Sequence, residues 1–102
     1  STLVLFQLIG VDYQIKTITG NQSFENNVTI KIRGDSGKVS IPLSTTNNGT
    51  QPFQANATDL FVHRENDVGK IKRIIIEHDN SKENQTWNLK KIFITKGKFS
   101  FK

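Results

Sequence analysis

The chain of 102 residues contains no cysteine. It can therefore form no disulfide bond and offers no thiolate as a metal ligand or nucleophile. It also has no run close to the roughly 20 consecutive apolar residues that a membrane-spanning helix needs. No segment keeps a helical period of apolar residues. The lack of cysteine excludes a disulfide-rich scaffold and a cysteine-based active site. The lack of a helical period favours β-structure.

Motifs of common enzymes are absent as well. There is no Gly-x-Ser-x-Gly elbow, no His-Glu-x-x-His pair and no phosphate-binding glycine loop. The only histidines are His63 and His78. His78 adjoins Asp79, but neighbours along a strand point to opposite faces and cannot act as a dyad. The sequence predicts a non-catalytic domain, with His78 packed and its ring nitrogen bonded across a loop.

Apolar residues are scarce, at 34% of the chain, and the mean hydropathy is −0.45. A core this thin suits a two-layer β-sandwich, in which only every second strand residue must be apolar. The length allows one domain, and apolar runs near both ends suggest a segment of a longer protein. The first ten residues lack a basic start and a cleavage-like end, so we do not expect a signal peptide there.

Three segments alternate cleanly between apolar and polar residues. They place Tyr13, Ile15 and Thr17 on one face, then Val28, Ile30 and Ile32, then Val39, Ile41 and Leu43. Pro42 removes a backbone donor, so the third strand should lie at a sheet edge or end there.

Further apolar runs of strand length occupy residues 3–9, 59–63, 71–76 and 89–94, and Phe99 and Phe101 alternate with polar residues. Residues 96–98 are expected to turn the chain. Seven or eight short strands between turn residues predict an antiparallel β-sandwich. The polar stretch between residues 76 and 89 is either a hairpin connection or a small cation site.

The formal net charge is +5, and all of the excess positive charge lies from Arg64 onward. A basic surface favours an anionic partner such as phospholipid head groups, acidic protein or nucleic acid. The alternative is an ordinary solvated surface. Nucleic acid is the least favoured partner, because the basic stretch has few interleaved aromatic residues and no recognised motif.

Five triplets have the form of N-glycosylation acceptors, or sequons. They begin at Asn21, Asn27, Asn48, Asn56 and Asn84. They favour a secreted or lumenal location, although a chain rich in Asn and Thr also produces such triplets by chance.

The ordered motifs resemble the PLAT domain, also called the lipoxygenase homology (LH2) domain. The matching segments are residues 13–21, 27–34, 53, 58–61, 68–71, 76–80 and 87–92. The most specific part is His78-Asp79-Asn80 shortly before Trp87-Asn88-Leu89. The resemblance runs to about residue 95, and Phe101 is similar to part of the closing strand of that family.

This resemblance implies an eight-stranded antiparallel β-sandwich over residues 1–102. It also implies a non-catalytic module like those in lipoxygenases, lipases, clostridial alpha toxin, polycystins and stereocilia proteins. Such modules dock to membranes or proteins, sometimes with calcium. We therefore expect a monomeric targeting domain of a larger protein that associates peripherally with an anionic membrane, or else a protein–protein adaptor.

The calcium ligands that this resemblance suggests come from two loops. They are Gly20, Asn21, Glu25, Asp79 and Asn80. Asn21 stands where an acidic residue is usual, which leaves two carboxylates and predicts weak binding at most. The alternative is that Asn21 and Asp79 only hold turns through side-chain to backbone bonds.

The aromatic and basic residues give the membrane hypothesis. Trp87 shares a face with Leu89 and is expected in the core. Phe24, alone in a polar loop, is the candidate for insertion into lipid. A basic strip on adjacent strands is predicted from Lys70, Lys72, Arg73, Lys90 and Lys91.

Overall fold

Alternation of apolar and polar residues marks the first three of the six described strands. The computed structural model describes residues 10–98. The strands are β1 Val11–Thr19, β2 Val28–Gly34, β3 Gly37–Pro42, β4 Thr58–Glu65, β5 Ile71–His78 and β6 Leu89–Lys98. There is no helix among residues 10–98, and so none in that range that is long and apolar enough to cross a membrane.

The strands form two antiparallel sheets of three strands each. Sheet I has the order β4-β1-β6, and sheet II has the order β3-β2-β5. The all-β sandwich predicted from the sequence is thus confirmed. Six strands are described where eight were expected. The further strand predictions, residues 3–9 and Phe99 with Phe101, lie outside the described residues.

The core lies between the two sheets and follows the predicted faces. Tyr13 and Ile15 of β1, together with Ile30 and Ile32 of β2, are completely buried. Burying such side chains removes roughly 1.5–3 kcal/mol of unfavourable hydration each. Period-two alternation therefore placed the inner face of both central strands correctly.

Pro42 ends β3, which is an edge strand of sheet II among residues 10–98, as the missing N–H of proline requires. Two other predictions are wrong. β6 continues through Lys98, so residues 96–98 do not turn the chain. β5 and β6 do not form a hairpin, because β5 pairs with β2 and β6 pairs with β1. The connection between them crosses from one sheet to the other.

Candidate functional site

The loop that follows β5 is fastened to the loop between β1 and β2. Both carboxylate oxygens of Asp79 accept hydrogen bonds from Asn27: Oδ1 from its backbone N–H at 3.2 Å, and Oδ2 from its side-chain amide at 2.6 Å. Oδ1 also accepts the backbone N–H of Ser81 at 3.0 Å. These bonds, the Asn27 side chain first, lower the pKa of Asp79 from 3.8 to about 2. Asp79 thus acts as the acceptor that joins two loops.

The other predicted calcium ligands also lie at this end of the sandwich and make local bonds. The Gly20 carbonyl accepts the N–H of Asn56 at 2.7 Å. The Asn21 side-chain oxygen accepts from the Asn88 amide at 3.4 Å. The Glu25 backbone N–H donates to the Gln85 side-chain oxygen at 2.9 Å. A side chain at Gly20 would overlap the Asn88 side-chain amide, which would have to move.

These donors fit calcium poorly. Calcium takes six to eight oxygen ligands, and tighter sites draw on several carboxylates. Residues 10–98 contain no group of three or more His, Cys, Asp or Glu side chains that could hold a metal ion. The oxygens of Asp79 already accept bonds from Asn27 and Ser81. Asn80 has a left-handed backbone conformation, with φ of 55°, in the loop that follows β5. The calcium site stays a prediction, and the bonding pattern is that of the alternative, in which Asp79 holds a turn.

Phe24 does not project from a loop tip. Its side chain is 1% exposed, and its ring stacks on Trp87 with centroids 5.6 Å apart and planes 9° from parallel. Its backbone N–H donates to the Phe53 carbonyl at 2.9 Å. The expectation that Phe24 stands exposed at a polar loop tip is therefore wrong, because tertiary contacts supply the apolar surroundings that its own loop lacks. Trp87 packs partly buried against the core, as predicted.

His78 lies at the end of β5, beside this aromatic cluster. Its ring meets Phe24 edge to face, with centroids 5.2 Å apart. The side chain is otherwise exposed to solvent. His78 thus contacts Phe24, but its side chain is exposed rather than packed, and the bond of its ring nitrogen across the loop stays a prediction.

The five basic residues of the predicted strip do not lie on adjacent strands. Arg73 is on β5 in sheet II, whereas Lys91 is on β6 in sheet I. Lys72 and Lys90 are each skipped by the pairing register at a bulge. Lys70 precedes β5, and its N–H donates to Asp35 at 3.1 Å. The expectation of one basic strip on adjacent strands is therefore wrong, because β5 and β6 belong to different sheets.

A different basic surface occupies the outer face of sheet II. Because Ile30 and Ile32 point inward, the alternate residues of β2 and their partners point outward. The outward residues in register are Thr29, Lys31, Arg33, Lys38, Ser40, Pro42, Arg73, Ile75 and Glu77. Four of these are basic and one is acidic. We call this surface the cationic face.

Within the cationic face, Arg33 is the central residue of a row. It lies directly opposite Lys38 on β3 and Arg73 on β5. Lys31 lies two register pairs from Arg33, on the same face, and forms a salt bridge of 2.7 Å with Glu77. Among the described residues, no salt bridge involves Arg33, Lys38 or Arg73. A groove of about 480 Å³ runs beside the row, and the exposed Ile75 is part of its lining.

Comparison with known proteins assigns the fold to a family. The model of the PLAT/LH2 domain matches residues 13–102. The chain belongs to the PLAT/LH2 domain family. Lipoxygenase homology domain-containing protein 1 of Mus musculus is 35% identical over 86 residues, which is 81% of this chain and 4% of that protein. The Homo sapiens protein of the same name is 34% identical over the same share. The chain thus spans a small fraction of these relatives.

Solved structures show the same fold. A crystal structure of Delta413-417:GS LOX matches with a TM-score of 0.69 and 19% identity, and covers 90% of this chain and 14% of that one. A variant of it with a further substitution matches with a TM-score of 0.71 and 20% identity, over 86% of this chain and 13% of that one. PLAT/LH2 domains are generally non-catalytic modules of larger proteins that mediate lipid or protein interactions.

The outer face of sheet I in this PLAT/LH2 domain has a different character. Leu60, Lys16 and Phe93 form one cross-strand row, and Val62 lies on the next. Phe93 is 48% exposed, with the Lys16 ammonium 5.4 Å from its ring centroid. Leu60 and Val62 are also exposed. We call this surface the apolar face.

Sequence reasoning missed the cationic face although part of its signal was local. The alternation already placed Lys31 and Arg33 outward, and the short turn after Gly34 brings Lys38 opposite Arg33. The distribution of charge along the chain does not reveal the cationic face, because the formal charges of the residues before Arg64 sum to zero. The contribution of Arg73 depends on the pairing of β2 with β5, which no local pattern encodes.

Proposed function

We propose that this PLAT/LH2 domain is a non-catalytic docking module that binds membrane lipid surfaces on behalf of a larger protein. The observation that carries the proposal is the cationic face, where four basic side chains stand against one acidic side chain. Near an anionic bilayer, each Lys or Arg contributes about 1 kcal/mol of attraction. Phe24 has no part in this contact because it is buried.

The shape of the cationic face also suits a bilayer. It is the outer surface of a three-stranded sheet, so its side chains stand side by side along the groove. Ile75, which is 40% exposed, lies beside Lys31 and can enter the interfacial region while the cations meet head groups. A broad contact of this kind docks a domain without any catalytic group.

Vesicle co-sedimentation tests the proposal. The domain should bind phosphatidylcholine vesicles that contain phosphatidylserine and should not bind vesicles of phosphatidylcholine alone. Binding should be lost at high salt. Arg73→Gln should weaken binding about fivefold, since it removes one charge from the cationic face. Lys91→Gln, an equal charge change on sheet I, is the matched control and should bind as the wild type does. Retention on anionic vesicles no greater than that of a neutral protein would overturn the proposal.

A second candidate function, a protein–protein adaptor, is favoured by the apolar face. Its exposed Leu60, Val62 and Phe93 are the kind of side chains that form the centre of a protein interface. Here Phe93→Ser should abolish capture of the partner protein, whereas Arg73→Gln should not. Capture that is kept in Phe93→Ser and lost in Arg73→Gln would overturn the proposal that the apolar face binds a protein.

Calcium assistance is a subsidiary part of the proposal. It would draw on Gly20, Asn21, Glu25, Asp79 and Asn80, of which Asp79 and Glu25 carry carboxylates. The ion would have to displace the bonds between Asp79 and Asn27. Such competition supports weak binding only.

We also propose that the domain is secreted or faces a lumen. All five sequon asparagines are exposed to solvent, which glycosylation requires, but the amide of Asn27 is bonded to Asp79, so the support comes from the other four. Secretory expression followed by enzymatic removal of N-glycans should lower the apparent mass. An unchanged mass would remove this support.

A further inference from the structure

Three like charges meet in direct register on the cationic face. Lys38, Arg33 and Arg73 occupy one cross-strand row, with Arg33 in the middle. Directly opposite residues have Cβ atoms about 4.5–5.5 Å apart, and like charges at that separation destabilise a sheet. No salt bridge within residues 10–98 relieves the row, because Glu77 is bonded to Lys31. A local arrangement that opposes folding indicates a site that is held for a ligand.

We infer that the Lys38–Arg33–Arg73 row binds the phosphomonoester head group of a membrane lipid. The inference rests on the proposed function, since it names the lipid group that the cationic face would recognise. The two guanidinium groups present planar forks that pair with phosphate oxygens in a bidentate manner, and Lys38 adds a point charge. The row spans about 10 Å, two strand spacings, so these long side chains can converge on one phosphate above Arg33.

The charge of the row selects among anionic lipids. A phosphomonoester carries a charge of about −1.5 to −2 at pH 7, with three terminal oxygens. It can balance most of the row and accept from both arginines at once. The head group of phosphatidylserine carries its phosphate as a diester with a net charge of about −1, so it leaves the row largely unbalanced.

Neighbouring apolar surface orients the row toward a bilayer rather than toward a soluble phosphate. Ile75 lines the same groove of about 480 Å³ as the three cations. Ile75 lies two register pairs from Arg73 along the sheet, on the same outer face. Its exposed side chain reaches the interfacial layer when the row meets head groups. This is why the occupant is a lipid.

The test compares two vesicle compositions at equal surface charge. One contains phosphatidic acid, a phosphomonoester lipid, and the other contains phosphatidylserine at twice that mole fraction, both in phosphatidylcholine. We expect about tenfold tighter binding to phosphatidic acid, the size of one additional charge-assisted hydrogen bond. Arg33→Lys keeps the charge but loses the fork, and should reduce this preference to about twofold or less. Arg64→Lys is the matched control, because Arg64 pairs with Asp12 on sheet I, and it should keep the preference.

The outcomes separate the two proposals. Equal binding to both vesicles, or an undiminished preference in Arg33→Lys, overturns the phosphomonoester site while membrane docking stands. Binding to neither vesicle overturns both. Inorganic phosphate at the same phosphate concentration should compete weakly, and full competition by it would overturn the lipid as occupant.

A stability measurement supplies a readout that is independent of lipid. Arg33→Gln should raise the Tm in lipid-free solution, because it removes two like-charge cross-strand contacts, and should weaken binding to phosphatidic acid vesicles. A lower Tm would mean that Arg33 serves the fold, and it would overturn the argument that the row is held for a ligand.

Discussion

Phe24 and Trp87 stack, with ring centroids 5.6 Å apart and ring planes 9° from parallel. The two residues lie in different loops, and their contact closes one end of the sandwich. The indole N–H of Trp87 donates to the hydroxyl of Thr19 at 3.3 Å, at the end of β1. Phe53 packs against both rings, with centroids 6.4 Å from Phe24 and 4.5 Å from Trp87. The loop end is therefore a packed aromatic cluster.

Phe24→Ala should destabilise the domain by about 3–5 kcal/mol, because it leaves a cavity next to Trp87. Urea denaturation measures the free energy of unfolding. The emission of Trp87, the single tryptophan, should also shift to longer wavelength as water reaches its ring. Phe93→Ala is the control, since Phe93 is exposed on the apolar face and its loss should change stability by about 0.5 kcal/mol or less. Equal effects of the two substitutions would contradict the buried position of Phe24.

Tyr13→Phe should destabilise the domain by about 1–3 kcal/mol. The buried Tyr13 hydroxyl donates to the Asn66 carbonyl at 2.8 Å and accepts the N–H of Val68 at 3.0 Å. Phenylalanine removes both bonds and leaves the Val68 N–H buried without this acceptor, while the ring volume is kept. Denaturation at unchanged m-value measures the effect. A variant as stable as the wild type would show that the hydroxyl does not fasten the connection between β4 and β5.

Asp79→Asn should flatten the acid dependence of stability. The folded pKa of Asp79 is lowered from 3.8 to about 2, first by the Asn27 side chain and then by the Ser81 N–H. A carboxyl whose pKa falls on folding contributes stability above its unfolded pKa, and this contribution is lost as the pH falls from about 4 to about 2. The free energy of unfolding measured across that window should therefore fall less steeply in Asp79→Asn. Identical slopes would show that the bonds to Asn27 do not persist in solution.

Calcium added without lipid should bind weakly, with a Kd of about 10⁻⁴–10⁻³ M or higher. The reason is the small number of carboxylates at the loop end and the engagement of Asp79 with Asn27. Isothermal titration calorimetry measures this affinity directly. A micromolar Kd would refute the argument and would require the loop between β1 and β2 to rearrange.

Local patterns predicted much of the fold. The inward faces of β1 and β2, the edge position of Pro42 and the packing of Trp87 were all readable, because each depends on side chains within a few residues. Phe24 was misplaced for the same reason. Its sequence neighbours are polar, and its apolar surroundings come from Trp87 and Phe53, which are distant in the chain.

The sequence by itself determined the strand alternation, the thin core and the ordered motifs of the PLAT/LH2 family, since period-two burial and turn chemistry are local. Only the tertiary structure decided which strands are neighbours. It separated Lys91 from Arg73 on different sheets and set Arg73 opposite Arg33. The reason is physical: cross-strand pairing is fixed by how two sheets bury their inner faces against each other, and that depends on the whole chain at once.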